Sequence, residues 1–193
     1  AGRMGKAELA AELFLTKDPV RAQALAAELC EQNKLRQNEE NKILEQTLTR
    51  LRREYNPLED KIIVLAGEGW HQGVIGIVCS RLCDRYGCPV VLISVDEDGV
   101  GKGSGRSIGS FNLFEALTSC EDLFERYGGH ALAAGLTVQA DRIEELRTRL
   151  RKYAETHVTM AELVPQLHID CMVQSEWLTQ ENIESLSVLE PYG

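Results

Sequence analysis

A chain of 193 residues with 44% hydrophobic and 26% charged side chains has the length of one ordinary domain with appendages, and the apolar content for a sizeable core, which excludes a disordered or fibrous protein. Its net charge of −9 excludes a protein that coats nucleic acid by bulk electrostatics; residues 161–193 hold six acids and no Lys or Arg, so any anion site must be local. No apolar run approaches the roughly 20 residues that span a bilayer and no leader pattern opens the chain, so a soluble, cytoplasmic protein without membrane contact is expected.

The six cysteines lie in hydrophobic stretches and form no CxxC pair, and are read as reduced core thiols. Cys79, Cys83 and Cys88 lack the paired spacing and fourth ligand of a zinc site, so no metal is expected here. Ala1 at one end and Leu189-Glu190-Pro191-Tyr192-Gly193 at the other look cut, which leads us to expect a piece of a longer protein.

In chain order, residues 5–15 predict a short amphipathic helix from apolar residues at three- and four-residue spacings. Asp18-Pro19 restarts a helix, with Asp18 as N-cap and Pro19 at the first helical position, running to about Tyr55. Its ends are apolar but Glu31 to Lys42 is almost wholly polar, the pattern of a helix bridging two bodies through solvent or of a surface helix with a few ion pairs. Asn56-Pro57 ends it. Ile62 to Ala66 and Val90 to Val95 read as buried strands flanking a helix from Gln72 to Tyr86, a parallel crossover. Asp96 to Gly99 forms a hairpin turn, and Val100 to Ile108 returns as a glycine-rich strand. Ser110 or Asn112 caps a helix through Thr118, and Glu121 to Arg126 adds another turn or two. The cluster Tyr127-Gly128-Gly129-His130 is expected to lead into a short helix, then the strand Leu136 to Val138. Asp141 is expected to cap an amphipathic helix through Thr156. A strand near Leu167 to Val173 and a helix near Thr179 to Leu186 complete the chain.

Two constellations carry chemistry. In a strand alternate residues share a face, so Ser104 and Arg106 project together while Gly103 and Gly105 leave the other face bare for close approach. A guanidinium fork beside a hydroxyl suits a phosphate. The same residues also fit a glycine-rich hairpin with solvated serines. Gly128 and Gly129 can present successive N–H groups as an anion nest, with His130 at the positive end of the helix expected after them; a structural turn with a satisfied histidine is the alternative. His71 lies where a strand hands over to a helix, the edge at which parallel α/β sheets bind ligands. Trp70 beside it stacks on a base or, more plainly, faces the core. Gly73 and Gly76 are read as helix-packing positions. The chain lacks a metal-holding Asp/His cluster, a nucleophile elbow, a Walker loop and a dinucleotide fingerprint.

Ala1-Gly2-Arg3-Met4-Gly5, Gly69-Trp70-His71-Gln72-Gly73-Val74-Ile75-Gly76-Ile77-Val78, Gly103-Ser104-Gly105-Arg106-Ser107 and Gly128-Gly129-His130-Ala131-Leu132-Ala133-Ala134-Gly135 together resemble the carboxyl-terminal half of RecJ-type single-stranded-DNA exonucleases of the DHH phosphoesterase superfamily. The likeness runs in the same order over essentially the whole chain. It implies an α/β fold: a DHH-associated domain at 56–160 with a mixed β-sheet flanked by helices, preceded by a helical linker at 1–55 and followed by a strand and helix at 161–193 leading toward an oligonucleotide-binding barrel.

The resemblance further implies a two-part nuclease of DNA repair and recombination that digests 5′ to 3′. A preceding Asp-His-His domain holds Mn²⁺ or Mg²⁺, which activate water, and the associated domain grips the DNA end. By similarity Ser104, Arg106, Ser107, Gly128, Gly129 and His130 line the cleft, Arg3 reaches the terminal phosphate and His71 joins them. The Asp-His-His motif is absent from this chain, so the chain alone is expected to bind single-stranded DNA and cut none, with no catalytic residue, metal ligand or cofactor of its own. Other DNA repair proteins are expected partners of the parent. Two further readings share these motifs: a phosphodiesterase of short oligonucleotides or cyclic dinucleotides, and a non-catalytic replication scaffold.

Overall fold

The computed structural model describes residues 2–57, 59–109, 111–163, 169 and 171–190. A short 3-10 turn, Gly2–Met4, precedes helices α1 (Ala7–Leu15) and α2 (Pro19–Glu54). The Asp18 side chain accepts from the Val20 amide and Pro19 opens the helix, as the sequence predicts. At 36 residues α2 is about 54 Å long. Two ion pairs, Lys6–Glu28 and Arg21–Glu12, join its start to α1.

The polar middle of α2 is not uniformly solvent-facing. Glu40 is buried, accepting from Arg36 at 2.5 Å and from Arg81 at 2.9 Å. From there Ile43, Thr47 and Leu51 turn inward at four-residue spacing, so the second half of α2 docks on the domain.

The domain is a five-stranded mixed sheet in the order β1-β2-β3-β5-β4. Its strands are β1 (Ile63–Glu68), β2 (Val90–Val95), β3 (Val100–Arg106), β4 (Phe124–His130) and β5 (Ala133–Gln139). β1 and β2 are parallel, joined through α3 (Gln72–Tyr86), and all other pairs are antiparallel. Gly87, at positive φ, ends α3 as the left-handed cap that glycine adopts without steric cost. On one face α2 and α3 cover Ile63, Leu65, Val90 and Leu92. On the other, α4 (Leu113–Thr118) and α5 (Ile143–His157) cover Val64, Val91, Ile93, Leu136 and Val138. β2 is buried on both sides, which explains its unbroken apolar run.

Four expectations are corrected. Glu121–Leu123 is a single 3-10 turn and Phe124 already begins β4, so the second glycine cluster belongs to a β-hairpin and no helix follows it. Ala131 to Ala134 are good helix formers, but Ala134, Leu136 and Val138 alternate into the core, and ladder bonds to both β3 and β4 outweigh the local preference. Asp141 caps nothing: it sits inside a 3-10 turn, Ala140–Arg142, and Arg142 precedes α5 without a side-chain cap. Cys30 and Cys171 are exposed, so only Cys79, Cys83, Cys88 and Cys120 are core thiols.

Asn112 caps α4 by accepting from the Glu115 amide, and Thr179 caps the last helix, α6 (Gln180–Ser185). The strand expected at Leu167 to Val173 and the segment ending at Gly193 fall largely outside the described residues; Cys171 to Val173 are irregular. No described helix is long and apolar enough to cross a membrane.

Candidate nucleic-acid interface

The β3 alternation sets the site. Lys102, Ser104 and Arg106 lie on the face that carries α3, while Gly101, Gly103 and Gly105 lie on the other. That second face is not bare. A Cβ on Gly103 would stand 2.8 Å from Leu136 Cδ1, and one on Gly105 2.7 Å from Leu113 Cδ2. The glycines admit the apolar core to the sheet, and the close approach expected there for a ligand is taken by leucines.

Ser104 and Arg106 open into a cleft of about 410 Å³ shared with Arg3, Gly73, Gly76 and Ser80. Gly76 faces the pair directly, since a Cβ there would meet Ser104 Oγ at 3.0 Å and Arg106 Nη2 at 3.2 Å. At Gly73 a Cβ would overlap the Arg3 carbonyl, so this glycine lets the N-terminal turn seat on α3. Met4 of the same turn packs on the α2–α3 core. Both helix glycines therefore shape the cleft as well as the packing.

Arg106 Nη1 donates to the Gly105 carbonyl at 2.6 Å and to Ser104 Oγ at 3.3 Å, which leaves Nη2 turned toward Gly76. The buried Cys79 thiol donates to the Ser104 carbonyl at 2.9 Å, pinning β3 under the cleft. Burial pushes this thiol up to about 12, so it is a neutral donor near pH 7.

His71 caps α3: its Nδ1 accepts from the Gly73 amide at 3.1 Å, so Nε2 carries the proton when the ring is neutral. It stands beside the cleft rather than among its lining residues. Trp70 is buried at 5% exposure and donates to Gln46, which settles it as a core residue.

His130 pairs with Ala133, which pairs with Arg106; Gly128 pairs with Gly135, which pairs with Ser104. His130 and Gly128 therefore share the face of the cleft, roughly 10 Å across the sheet from β3. His130 is exposed and its Nδ1 accepts from the Leu132 amide at 3.3 Å, again leaving Nε2 as donor. No helix dipole stands behind it.

Gly129 and Ser107 lie elsewhere. Gly129 pairs with Ala134 and holds φ 147, where a Cβ would strike the Ala133 carbonyl, so its role is to let β4 fold against β5. Ser107 donates to the Phe111 carbonyl at 2.7 Å and holds the loop into α4. The structure thus brings Arg3, Ser104 and Arg106 into one cleft, lays Gly128 and His130 along the same face, and separates Ser107 and Gly129 from it.

The family model described as DHHA1 domain matches residues 59–156, the sheet together with α3 to α5. The chain belongs to the DHHA1 domain family. Around this DHHA1 domain the likeness extends over the whole chain to the single-stranded-DNA-specific exonuclease RecJ of Bacillus subtilis, 38% identical over 193 residues and 24% of that protein. RecJ of Thermus thermophilus is 36% identical over 27% of its length. The crystal structure of Thermus thermophilus RecJ in complex with Mg²⁺ superposes with a TM-score of 0.84 at 36% identity, covering 99% of this chain and 29% of that one. A structure of exonuclease RecJ bound to manganese covers 84% of this chain and 41% of that one, with a TM-score of 0.71 at 38% identity. The chain thus spans about a quarter of these curated relatives.

Around the DHHA1 domain, no three His, Cys, Asp or Glu side chains among the described residues come together as metal ligands. Gln72 and Ser80 at the cleft, and Lys102 and Arg126 on the same sheet face, are not among the candidate site residues that the sequence motifs supply. Alternation alone would have found the last two, since Lys102-x-Ser104-x-Arg106 and Arg126-x-Gly128-x-His130 are both period-two runs.

Proposed function

We propose that this chain is the nucleic-acid-holding part of a RecJ-type exonuclease that digests single-stranded DNA from 5′ to 3′ in the cytoplasm during repair and recombination. In this reading residues 1–55 link to a catalytic domain that holds Mn²⁺ or Mg²⁺, 56–160 bind substrate and 161–193 lead toward a further domain. Hydrolysis belongs to that catalytic domain, and the chain alone binds DNA without cutting it. Other repair proteins act beside the parent enzyme.

The observation that carries the reading is the meeting of Arg3, Ser104 and Arg106 in one cleft across from Gly76. Arg106 Nη2 and the Ser104 hydroxyl offer donors to phosphate oxygens, and Arg3 adds a second guanidinium. The missing side chain at Gly76 lets Ser104 and the Arg106 guanidinium lie close against the helix while still facing the cleft. Gly128 and Gly135 extend the floor, with open space above Gly128, and His130 Nε2 donates at its far side. Arginine, serine and backbone donors without a base-stacking aromatic in the cleft favour contact with the sugar-phosphate chain over reading of sequence.

Fluorescence anisotropy with a 5′-phosphorylated oligo-dT, repeated over a range of salt, tests this. Arg106→Ala is expected to weaken binding and lower the salt slope by about 0.7. The purified chain with Mn²⁺ is expected to release no nucleotide. An unchanged slope in the variant, or metal-dependent cleavage by the chain, would overturn the reading.

A further inference from the structure

The sheet register aligns three rows across the face that holds the cleft. One row runs Arg106, Ala133, His130; the next Ser104, Gly135, Gly128; the third Lys102, Thr137, Arg126. The outer rows each carry a cation or hydrogen-bond donor at both ends, and the central row between them is nearly bare backbone. We propose that Lys102 and Arg126 form a second phosphate subsite, engaging the phosphate one nucleotide along from the one held by Ser104 and Arg106. The inference rests on the proposed reading of this face as a nucleic-acid surface.

Three observations carry it. Four residues along a strand separate the outer rows, about 13 Å, and each lies about 6.7 Å from the central row, so successive rows are spaced close to the reach of one nucleotide in an extended single strand. Ser104 of the central row and Arg106 share one phosphate because Arg106 Nη1 folds back to Ser104 Oγ, and the next row free for a neighbouring phosphate is that of Lys102 and Arg126. Second, both residues are exposed, and neither joins an ion pair among the described residues. Several other basic groups of the domain are already committed, Arg81 to Glu40, Arg142 and Arg149 to Asp122 and Glu145, Arg147 to Glu144, while Arg85 and Lys152, which join no ion pair among the described residues, lie on helices outside the three rows. Third, the strip between the rows is open, with nothing within 4 Å of a Cβ built on Gly128 and only the Gly103 carbonyl, at 3.7 Å, near one on Gly135. A sugar-phosphate chain can lie against it without displacing side chains. His130 is the only ring in the three rows, so this face offers contacts to the sugar-phosphate chain and lacks a base-stacking platform.

The test compares the full chain with its Lys102→Gln/Arg126→Gln double variant, using 5′-phosphorylated dT of one, two and six nucleotides. NMR titration serves the mononucleotide and anisotropy the longest. The wild-type chain is expected to gain affinity from one nucleotide to two. The double variant is expected to bind the mononucleotide unchanged, to lose roughly three- to tenfold for two or more nucleotides, and to show a salt slope lower by about 0.7. The charge-preserving pair Lys102→Arg/Arg126→Lys, checked by circular dichroism alongside the first variant, should keep the gain. If the Gln variant keeps the full gain while Arg106→Gln lowers binding of every probe, the second subsite is overturned and the cleft reading stands. If Arg106→Gln leaves every probe unaffected, the cleft reading and the subsite both fall.

Discussion

Trp70 Nε1 donates to Gln46 Oε1 across 2.7 Å, tying the long helix α2 to the turn that delivers Gln72 to the cleft and His71 beside it. The same tryptophan accepts at its carbonyl from Ser94 Oγ at 2.5 Å, and its ring lies over Gly67, where no side chain would fit. Gln46→Ala removes the partner of a buried indole N–H and is expected to cost about 1 kcal/mol. Gln46→Glu, which keeps the acceptor, should cost less. Urea denaturation with a constant slope checks this, and equal midpoints for wild type and Gln46→Ala would show that the bond contributes nothing.

Gly76→Ala should separate stability from binding. Alanine in the interior of a helix is favoured over glycine by up to about 1 kcal/mol, so the melting temperature should hold or rise. The new methyl would nevertheless press on Ser104 Oγ at 3.0 Å and Arg106 Nη2 at 3.2 Å, and oligonucleotide affinity should fall. A variant that binds as wild type would remove Gly76 from the cleft.

Gly105→Ala should do the reverse. Its Cβ would crowd Cδ2 of the fully buried Leu113 at 2.7 Å, and overpacking of this kind costs roughly 1–3 kcal/mol. Leu113→Ala alone is expected to cost about 2–5 kcal/mol. Because the two share one space, the double variant should be more stable than the sum of the singles by at least about 0.5 kcal/mol. Strict additivity in chemical denaturation would refute the steric account.

The buried thiols predict alkaline sensitivity. Burial pushes Cys79 and Cys88 up to about 12 and Cys83 up to about 11, and it also raises Cys120. An unfolded thiol titrates near about 8.5. These groups therefore penalise the folded state only once the unfolded chain begins to ionise: stability is unaffected below that point and falls as pH rises from there toward 12. Denaturation midpoints at pH 7, 9 and 10 should decline in that order. Near pH 8 an alkylating reagent should label Cys30 and Cys171 in the native protein and the other four only after unfolding, as mass spectrometry would register.

Local chemistry was legible where it had no competitor. Asp18-Pro19 starts α2 because a short acceptor and a fixed φ suffice for a cap, and the apolar run of β2 marks a strand covered on both sides whatever the covering. Ser104 and Arg106 share a face because strand alternation is fixed by the backbone. The sequence by itself thus determined the parallel crossover, the glycine-rich strand and the serine and arginine that share one face of it. The second glycine cluster was another matter, since Ala131 to Ala134 suit a helix as an isolated peptide, yet Ala131 and Leu132 form a hairpin turn and Ala133 and Ala134 open a strand only because β3 and β4 supply ladder partners on both sides. Only the tertiary structure decided that Gly103 and Gly105 admit leucines, that Gly76 stands across from Arg106, and that Lys102 and Arg126 meet in one row though 24 residues apart in sequence. Each of these depends on which strands neighbour one another, and that order is set by burial summed over the whole domain, a quantity that no short stretch of sequence contains.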